Sequence, residues 1–489
     1  MRRVVQVAGL LLAAGLLGFL AVQPRAEAAT NRAWVGGASG TFDNPNNWSP
    51  KGVPVDGDVL IFHGASNGNA YRIDVFANMP NLRIASITTD IEELWFSGPV
   101  RVTKSVFVEK NQRTVTFGSL SLDSPNVEFS APPIPFMAYP GAIVVTDTLV
   151  VGGTLSVHGG LTKLDHLTGN GLITLHGTDF VAKDFAQFSG PISAADGSEM
   201  TLLKSDFTDV CDRSHVKLLF DATSKATFDP SCTQVFASLE GPGKIGRIFG
   251  TSEPVNLKLV SAAGTFNGSI DYPQASVSLE CCGTGAQRIG GDMAGLIQVN
   301  VTGGSLNLED GLLHAGTITD VVNGASLGGF GIFGNVSVDN GTLAPGGGAA
   351  NFDSLSFTSS GGASFAIGGS DPASIGQVKT KGLLDLGSAS NAGTAGELNV
   401  QFVNGFVPPV GQPLVLIAGA SEVQGTFKEL PEGASATFGG YTFKITYLGG
   451  ASGHDVVLTR LAGPGTPTPP APNPSLKYRR FVIFVGRDD

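Results

Sequence analysis

Three stretches of the chain repeat one phrase, Leu-x-Gly-x-Gly: "LTGNGLITL" from Leu167, "LEGPGKIGRI" from Leu239 and "LGGFGIFGNV" from Leu327. A second phrase, Phe-x-Gly-x-Val/Ile, starts at Phe96, Phe188 and Phe266. Glycine accepts a positive φ or a close backbone neighbour at no steric cost, so a recurring apolar–glycine phrase marks a recurring bend. From Leu167 to Phe188, and again from Leu239 to Phe266, the second phrase follows the first at a spacing that fits one coil of a parallel β-solenoid, roughly 20–30 residues. The two phrases therefore read as successive rungs, with Leu and Ile pointing inward and Gly turning the corners. A sandwich or propeller also has short strands, but a propeller would impose a blade period of roughly 40–50 residues.

Composition agrees with many short strands. The 489 residues include 68 Gly and 28 Pro, with 15% charged and 42% hydrophobic. That apolar share suffices for a large core, while frequent Gly suits tight turns. Segments such as "LITLHG", "VNLKLVS" and "SLNLEDG" alternate apolar and polar, the period of a half-buried strand. The expected class is all-β: a parallel β-helix with an N-terminal cap and a C-terminal antiparallel β module. A net charge of −11 disfavours a nucleic-acid partner, because phosphate binding needs a basic stripe.

The chain opens with Arg2 and Arg3, an apolar run from Val4 to Val22 and the small-x-small triplet Ala26-Glu27-Ala28. This is the pattern of a cleaved signal peptide over 1–28; an uncleaved anchor is the alternative, since the run approaches the ~20-residue spanning length. No transmembrane segment is expected after its removal. Residues 29–62 carry Trp34 and Trp48 among Asn- and Pro-rich turns and read as the cap, with a sugar-stacking platform on these two Trp as the competing reading. The parallel β-helix is expected over 63–358. The antiparallel module follows over 359–460, with Gly439-Gly440 and Gly449-Gly450 at hairpin turns. A Pro-rich spacer over 461–474 and a tail over 475–489 complete the chain.

With four cysteines, disulfides are accessories here rather than the scaffold. Cys211 and Cys232 are the candidate pair in an oxidising compartment. Cys281 and Cys282 are adjacent, and their state stays open. The spacing of Cys and His does not suggest zinc, and no cofactor is expected.

"ASLGGFGIFGNVSVDNGTLAPGGG", the run "GQPLVLIAGA…VQGTF…LPEGASATFGGYTFKITYLGGASGHDVVLT" and the N-terminal "W-x-G…NW…P…GD…F" pattern resemble autotransporter-type passenger proteins with passenger-associated β-strand repeats. The resemblance implies an exported right-handed parallel β-helix displayed or released outside the cell, among whose members are adhesins and matrix components. The C-terminal outer-membrane barrel of that family, with its ~10-residue alternating strands, has no counterpart in the Pro-rich spacer and charged tail. Ordinary signal-peptide export is the expected route.

Because the same scaffold carries polysaccharide-active enzymes, clustered carboxylates matter. The richest stretch, 179–229, holds Asp179, Asp184, Asp196, Glu199, Asp206, Asp209, Asp212, Asp221 and Asp229 with Lys204, Arg213 and Lys217. Solvated turn acids are the competing reading. "GGASGHDVVL" faintly echoes a calcium-binding nonapeptide through Asp455, but one copy cannot build a calcium roll. His158, His176 and His215 read as turn or surface positions. The expectation is a secreted, non-enzymatic cell-surface or matrix protein with no catalytic residue assigned, partnered by extracellular glycans or cell-surface components. A secreted polysaccharide lyase or glycoside hydrolase and a carbohydrate-binding protein are the alternatives.

Overall fold

The computed structural model describes residues 29–462 except 65–70, 111, 123, 133–140, 205–209, 248–254, 261–263, 271–276, 294, 313–316, 359–360 and 388–395. The signal peptide, nearly all of the spacer, the tail, Asp206 and Asp209 therefore lie outside the described residues. The regular structure of the described residues is nearly all β, and its pairings are overwhelmingly parallel. Among the described residues the helical elements are the four-residue Pro372–Ile375 and the 3-10 turn Pro45–Asn47, and no helix is long and apolar enough to cross a membrane. The chain divides into two compact units that meet in sequence at Leu172/Ile173.

In the first unit, Arg72–Phe76 pairs in parallel with the start of Glu93–Val108, which pairs with Thr114–Leu122, then Ala142–Val151, then Leu161–Gly169. Each start advances on the last by about one coil length, and the chain between them forms strands too. Register aligns Ile73, Leu94, Val115 and Ile143 in one column and Val75, Phe96, Phe117, Val145 and Leu164 in the next, all buried. Each such side chain removed from water contributes about 1.5–3 kcal/mol. A second parallel ladder joins Val59–Phe62, Arg83–Thr89, the later part of Glu93–Val108 and Asn126–Ser130.

The second unit repeats the pattern over more strands. Phe236, Leu259, Cys281, Val301, Val321, Val338 and Phe357 occupy one register column, and all seven are buried. Parallel neighbours need long crossovers, which α/β proteins make with helices. Here strands make them.

The recurring phrases sit at the bends. Leu167, Leu239 and Leu327 are buried, while Gly169, Gly241 and Gly329 all have positive φ. A Cβ at these three glycines would overlap the carbonyl oxygens of Val151, Phe220 and Leu308 in turn. Both reasons for glycine, the left-handed backbone and the close strand, thus coincide at the same point in each copy.

Antiparallel pairing in the C-terminal region is narrower than the 359–460 span expected from alternation. Parallel pairing continues from Gly362–Ile367 to Glu397–Phe402 and from Leu383–Asp385 to Glu422–Gln424. Among the described residues there, antiparallel pairs are confined to Pro413–Ala418, Asp455–Arg460, Tyr441–Gly449 and Ser435–Phe438. Alternation reports one buried face and is blind to strand direction, which explains the difference. Gly439 and Gly440, both at positive φ, make the two-residue turn between Phe438 and Tyr441.

Candidate functional site

Trp34 and Trp48 do not offer a stacking platform. They are 0% and 2% exposed and pair across Asn31–Trp34 and Trp48–Ser49 with their rings edge-to-face at 5.1 Å. Phe42, Phe62 and Phe96 complete the cluster. Each indole N–H is used internally, Trp34 Nε1 donating to Gly37 O at 2.9 Å and Trp48 Nε1 to Phe42 O at 3.0 Å. Burying an indole requires such a partner. Beside the cluster, the fully buried carboxylate of Asp58 pairs with Arg32 and accepts the N–H groups of Thr30 and Val55 at 2.7 and 3.0 Å. Burial works against its ionisation, but these N–H donors and Arg32 outweigh it and hold the carboxyl below its ordinary value.

Trp95 is the tryptophan that faces solvent, at 37% exposure. It lies in "ELWFSG" between the buried Leu94 and Phe96, so strand parity turns it outward. Register sets it beside Asp74, with Arg72 and Phe76 on the same face of the neighbouring strand. The Arg72 guanidinium lies over the Trp95 ring at 4.4 Å. Arg72 is also held by Asp74 at 2.9 Å and Glu93 at 3.4 Å, and the Tyr71 hydroxyl reaches Glu93 at 3.3 Å. Tyr71 and Phe76 are exposed. An open groove of about 510 Å³ adjoins the strip, lined by Tyr71, Glu92, Glu93, Gln112, Thr114 and Leu161. Arg72 covers one face of Trp95, so the ring surface left to a sugar is the remaining exposed part of Trp95 with the exposed rings of Tyr71 and Phe76, flanked by carboxylate acceptors: C–H faces stack, and hydroxyls donate.

Part of the acidic stretch is turn architecture: Asp196, Asp221 and Asp229 lie between strands. Asp221 accepts N–H groups from Asp196 at 2.7 Å, Ser224 at 2.9 Å and Thr223 at 3.0 Å, which outweigh burial and hold its carboxyl down at about 2. Asp229 accepts from Ser231 and Lys204, Asp212 from Ser214, and Asp196 pairs with the His176 ring at 2.9 Å. Arg213 is buried and structural. It donates to Gln234 and to the carbonyls of Lys183 and Leu203, and it lies over the Phe185 ring at 4.9 Å. Burial lowers its pKa to about 10, against the opposing pull of Asp184 and Asp229.

One row does gather charge. Asp179, Glu199, Lys225 and Lys244 stand side by side on four successive parallel strands. Lys225 pairs with Glu199 at 2.9 Å, and Asp179 is pushed up by burial and then by Glu199. Lys217 sits apart, pairing with Glu240 at 3.7 Å.

Cys211 and Cys232 form a disulfide with their Cα atoms 5.9 Å apart. Cys281 and Cys282 are thiols; full burial pushes Cys281 up to about 12, which keeps it protonated. Asp455 accepts the Gly419 N–H at 2.9 Å beside its hairpin. Among the described residues, His63, Asp90 and Glu109 are the group whose donor atoms approach closely enough to share a metal ion.

The chain matches no family model, no curated protein and no solved structure. The functional reading therefore rests on these surfaces.

Proposed function

We propose that the chain is an exported, non-enzymatic parallel β-helix of the autotransporter-passenger type, right-handed as in the family it resembles and as most parallel crossovers are, serving as a structural or adhesin-like component of the cell surface or extracellular matrix. The observation that carries this reading is the outward strip of Tyr71, Arg72, Phe76 and Trp95 on an in-register parallel sheet. A rigid sheet presents its aromatic faces at low entropic cost, which is what adhesion to extracellular glycans requires. Ladders advancing by about one coil length, with strands as their own crossovers, support the helical winding. In this reading the Trp34–Trp48 cluster caps the first coil and the antiparallel strands from Pro413 cover the last.

A glycan array with the mature protein tests the adhesive role. Trp95→Ala and Tyr71→Ala should each weaken binding by roughly tenfold, the equivalent of about 1.4 kcal/mol for one lost stacking face. Unchanged binding in both variants, or none in wild type, removes glycans as the partner. Fractionation tests the location: the protein should collect at the cell surface or in the medium, and retention in the cytoplasm would end the export reading.

The row of Asp179, Glu199 and Lys225 favours a second reading, a secreted polysaccharide lyase or hydrolase. A carboxyl raised by burial beside a second carboxylate that pairs with a lysine is an arrangement that can separate acid and base roles. Release of reducing or unsaturated ends from polysaccharides, abolished by Asp179→Asn, would establish it.

A further inference from the structure

His63, Asp90 and Glu109 are far apart in sequence, yet each follows the last residue of a strand in one ladder. Those strands, Val59–Phe62, Arg83–Thr89 and Glu93–Val108, are hydrogen-bonded neighbours whose final residues align, Phe62 with Thr89 and Thr89 with Val108. The ladder bonding continues one step beyond the strand ends, Asp90 N donating to Phe62 O at 3.1 Å and Glu109 N to Thr89 O at 2.9 Å. Three side chains thus leave adjacent strands at one level, about 4.8 Å apart along the ladder.

Their donor atoms converge. His63 Nδ1 lies 3.5 Å from Asp90 Oδ1 and 3.9 Å from Glu109 Oε2, and one donor atom from each residue lies within 4.8 Å of the other two. Ligands about 2.1 Å from a tetrahedral zinc-type ion are about 3.4 Å apart, so closure around an ion needs only a small side-chain adjustment. Asp90 is already oriented: Gly64 N donates to its Oδ1 at 2.8 Å and Lys110 Nζ to its Oδ2 at 3.2 Å. Outer contacts of this kind fix a ligand's direction. Side-chain exposures of 38%, 18% and 29% leave the group reachable from solvent while its backbone is held in the sheet.

From this convergence we infer that His63, Asp90 and Glu109 bind a divalent transition-type cation that clips three adjacent strands together. One imidazole and two carboxylates suit zinc or manganese over calcium, which takes oxygen ligands throughout. The two carboxylates balance the ion's charge, and its remaining positions hold water. The inference does not depend on the glycan reading, since the site lies on a different ladder from Trp95.

Full-length mature protein, stripped with EDTA and titrated with zinc chloride and separately with calcium chloride by calorimetry, tests it. Zinc should bind at least about tenfold more tightly than calcium, and zinc should raise the midpoint of thermal unfolding. Both effects should disappear in His63→Ala and in Glu109→Gln, whose metal-free midpoints should stay near wild type because both side chains are partly exposed. Should wild type take up more than one zinc, the site is the increment missing from His63→Ala. Equal zinc uptake and equal thermal response in wild type and both variants would overturn the assignment, as would no zinc binding to wild type at micromolar concentrations.

Discussion

At the scale of single residues, the glycine phrases and the tryptophans show what a sequence can and cannot disclose. The glycine demand is local, because positive φ and a neighbouring carbonyl exclude every side chain, so it leaves the same mark in each copy. Gly169→Ala should lose about 2–4 kcal/mol in urea unfolding, combining left-handed strain with overlap against Val151. Gly197 also has a positive φ, but nothing lies within 4 Å of its missing Cβ, so Gly197→Ala should lose only about 1 kcal/mol. Equal losses would show that strain alone sets the demand. Tryptophan orientation leaves no comparable mark. "LWF" at 94–96 is three apolar residues in a row, which hides strand parity, whereas Trp34 and Trp48 lie in the segment already read as a cap, and their burial accords with that reading over the sugar platform.

Asp58 carries a pH dependence of known sign. Its carboxyl is held below the ordinary value of 3.8, so its contribution is complete above that value and fades as pH falls below it through the folded-state pKa. Asp58→Asn should cost roughly 3 kcal/mol at neutral pH, because Arg32 loses a buried counter-charge. The gap between the two proteins should narrow as pH drops below 3.8. Unfolding midpoints followed from pH 7 to pH 2 check this, and a gap constant down to pH 2 would contradict it.

At the scale of elements, the disulfide joins one strand to the start of the next in its ladder. Cys211 belongs to Val210–Phe220, and Cys232 immediately precedes Thr233–Glu240, its parallel neighbour. A sequence separation of 21 corresponds to about 3 kcal/mol of lost unfolded-state entropy. Cys211→Ala/Cys232→Ala should be less stable than oxidised wild type by about that amount in urea, and reduced wild type should match the double variant. Strand existence, turns and inward residues were legible because apolar positions and glycines recur. Parallel direction was legible over 63–358, where the glycine phrases recur, but not beyond 358, where alternation alone guided the reading. The His63, Asp90 and Glu109 alignment was hidden because the intervals between them are unequal, set by loop lengths, and only register equates their positions.

At the scale of the whole molecule, the proposed export makes a prediction about mass. Protein recovered from the cell surface or medium should begin at Ala29, after the small-x-small triplet, and intact mass spectrometry would show it. A full-length mass would point to an anchor in place of a cleaved leader. Surface chemistry carries the functional reading, and it is uneven: aromatic rings gather on one strip, while Asp196, Asp221 and Asp229 of the 179–229 stretch are spent on turns and Asp179, Asp184, Glu199 and Asp212 stand on strands.

The seven-deep column from Phe236 to Phe357 has one further implication. In the helical winding proposed above, each tier would depend on the pair of tiers it touches, so injury to any one of them would die away within a step or two. Loss of a whole tier would let the flanking ones close ranks, whereas loss of half a tier would leave every later residue facing the wrong way. A chain wound in that way would tolerate a change of length in whole tiers and not in fractions of one.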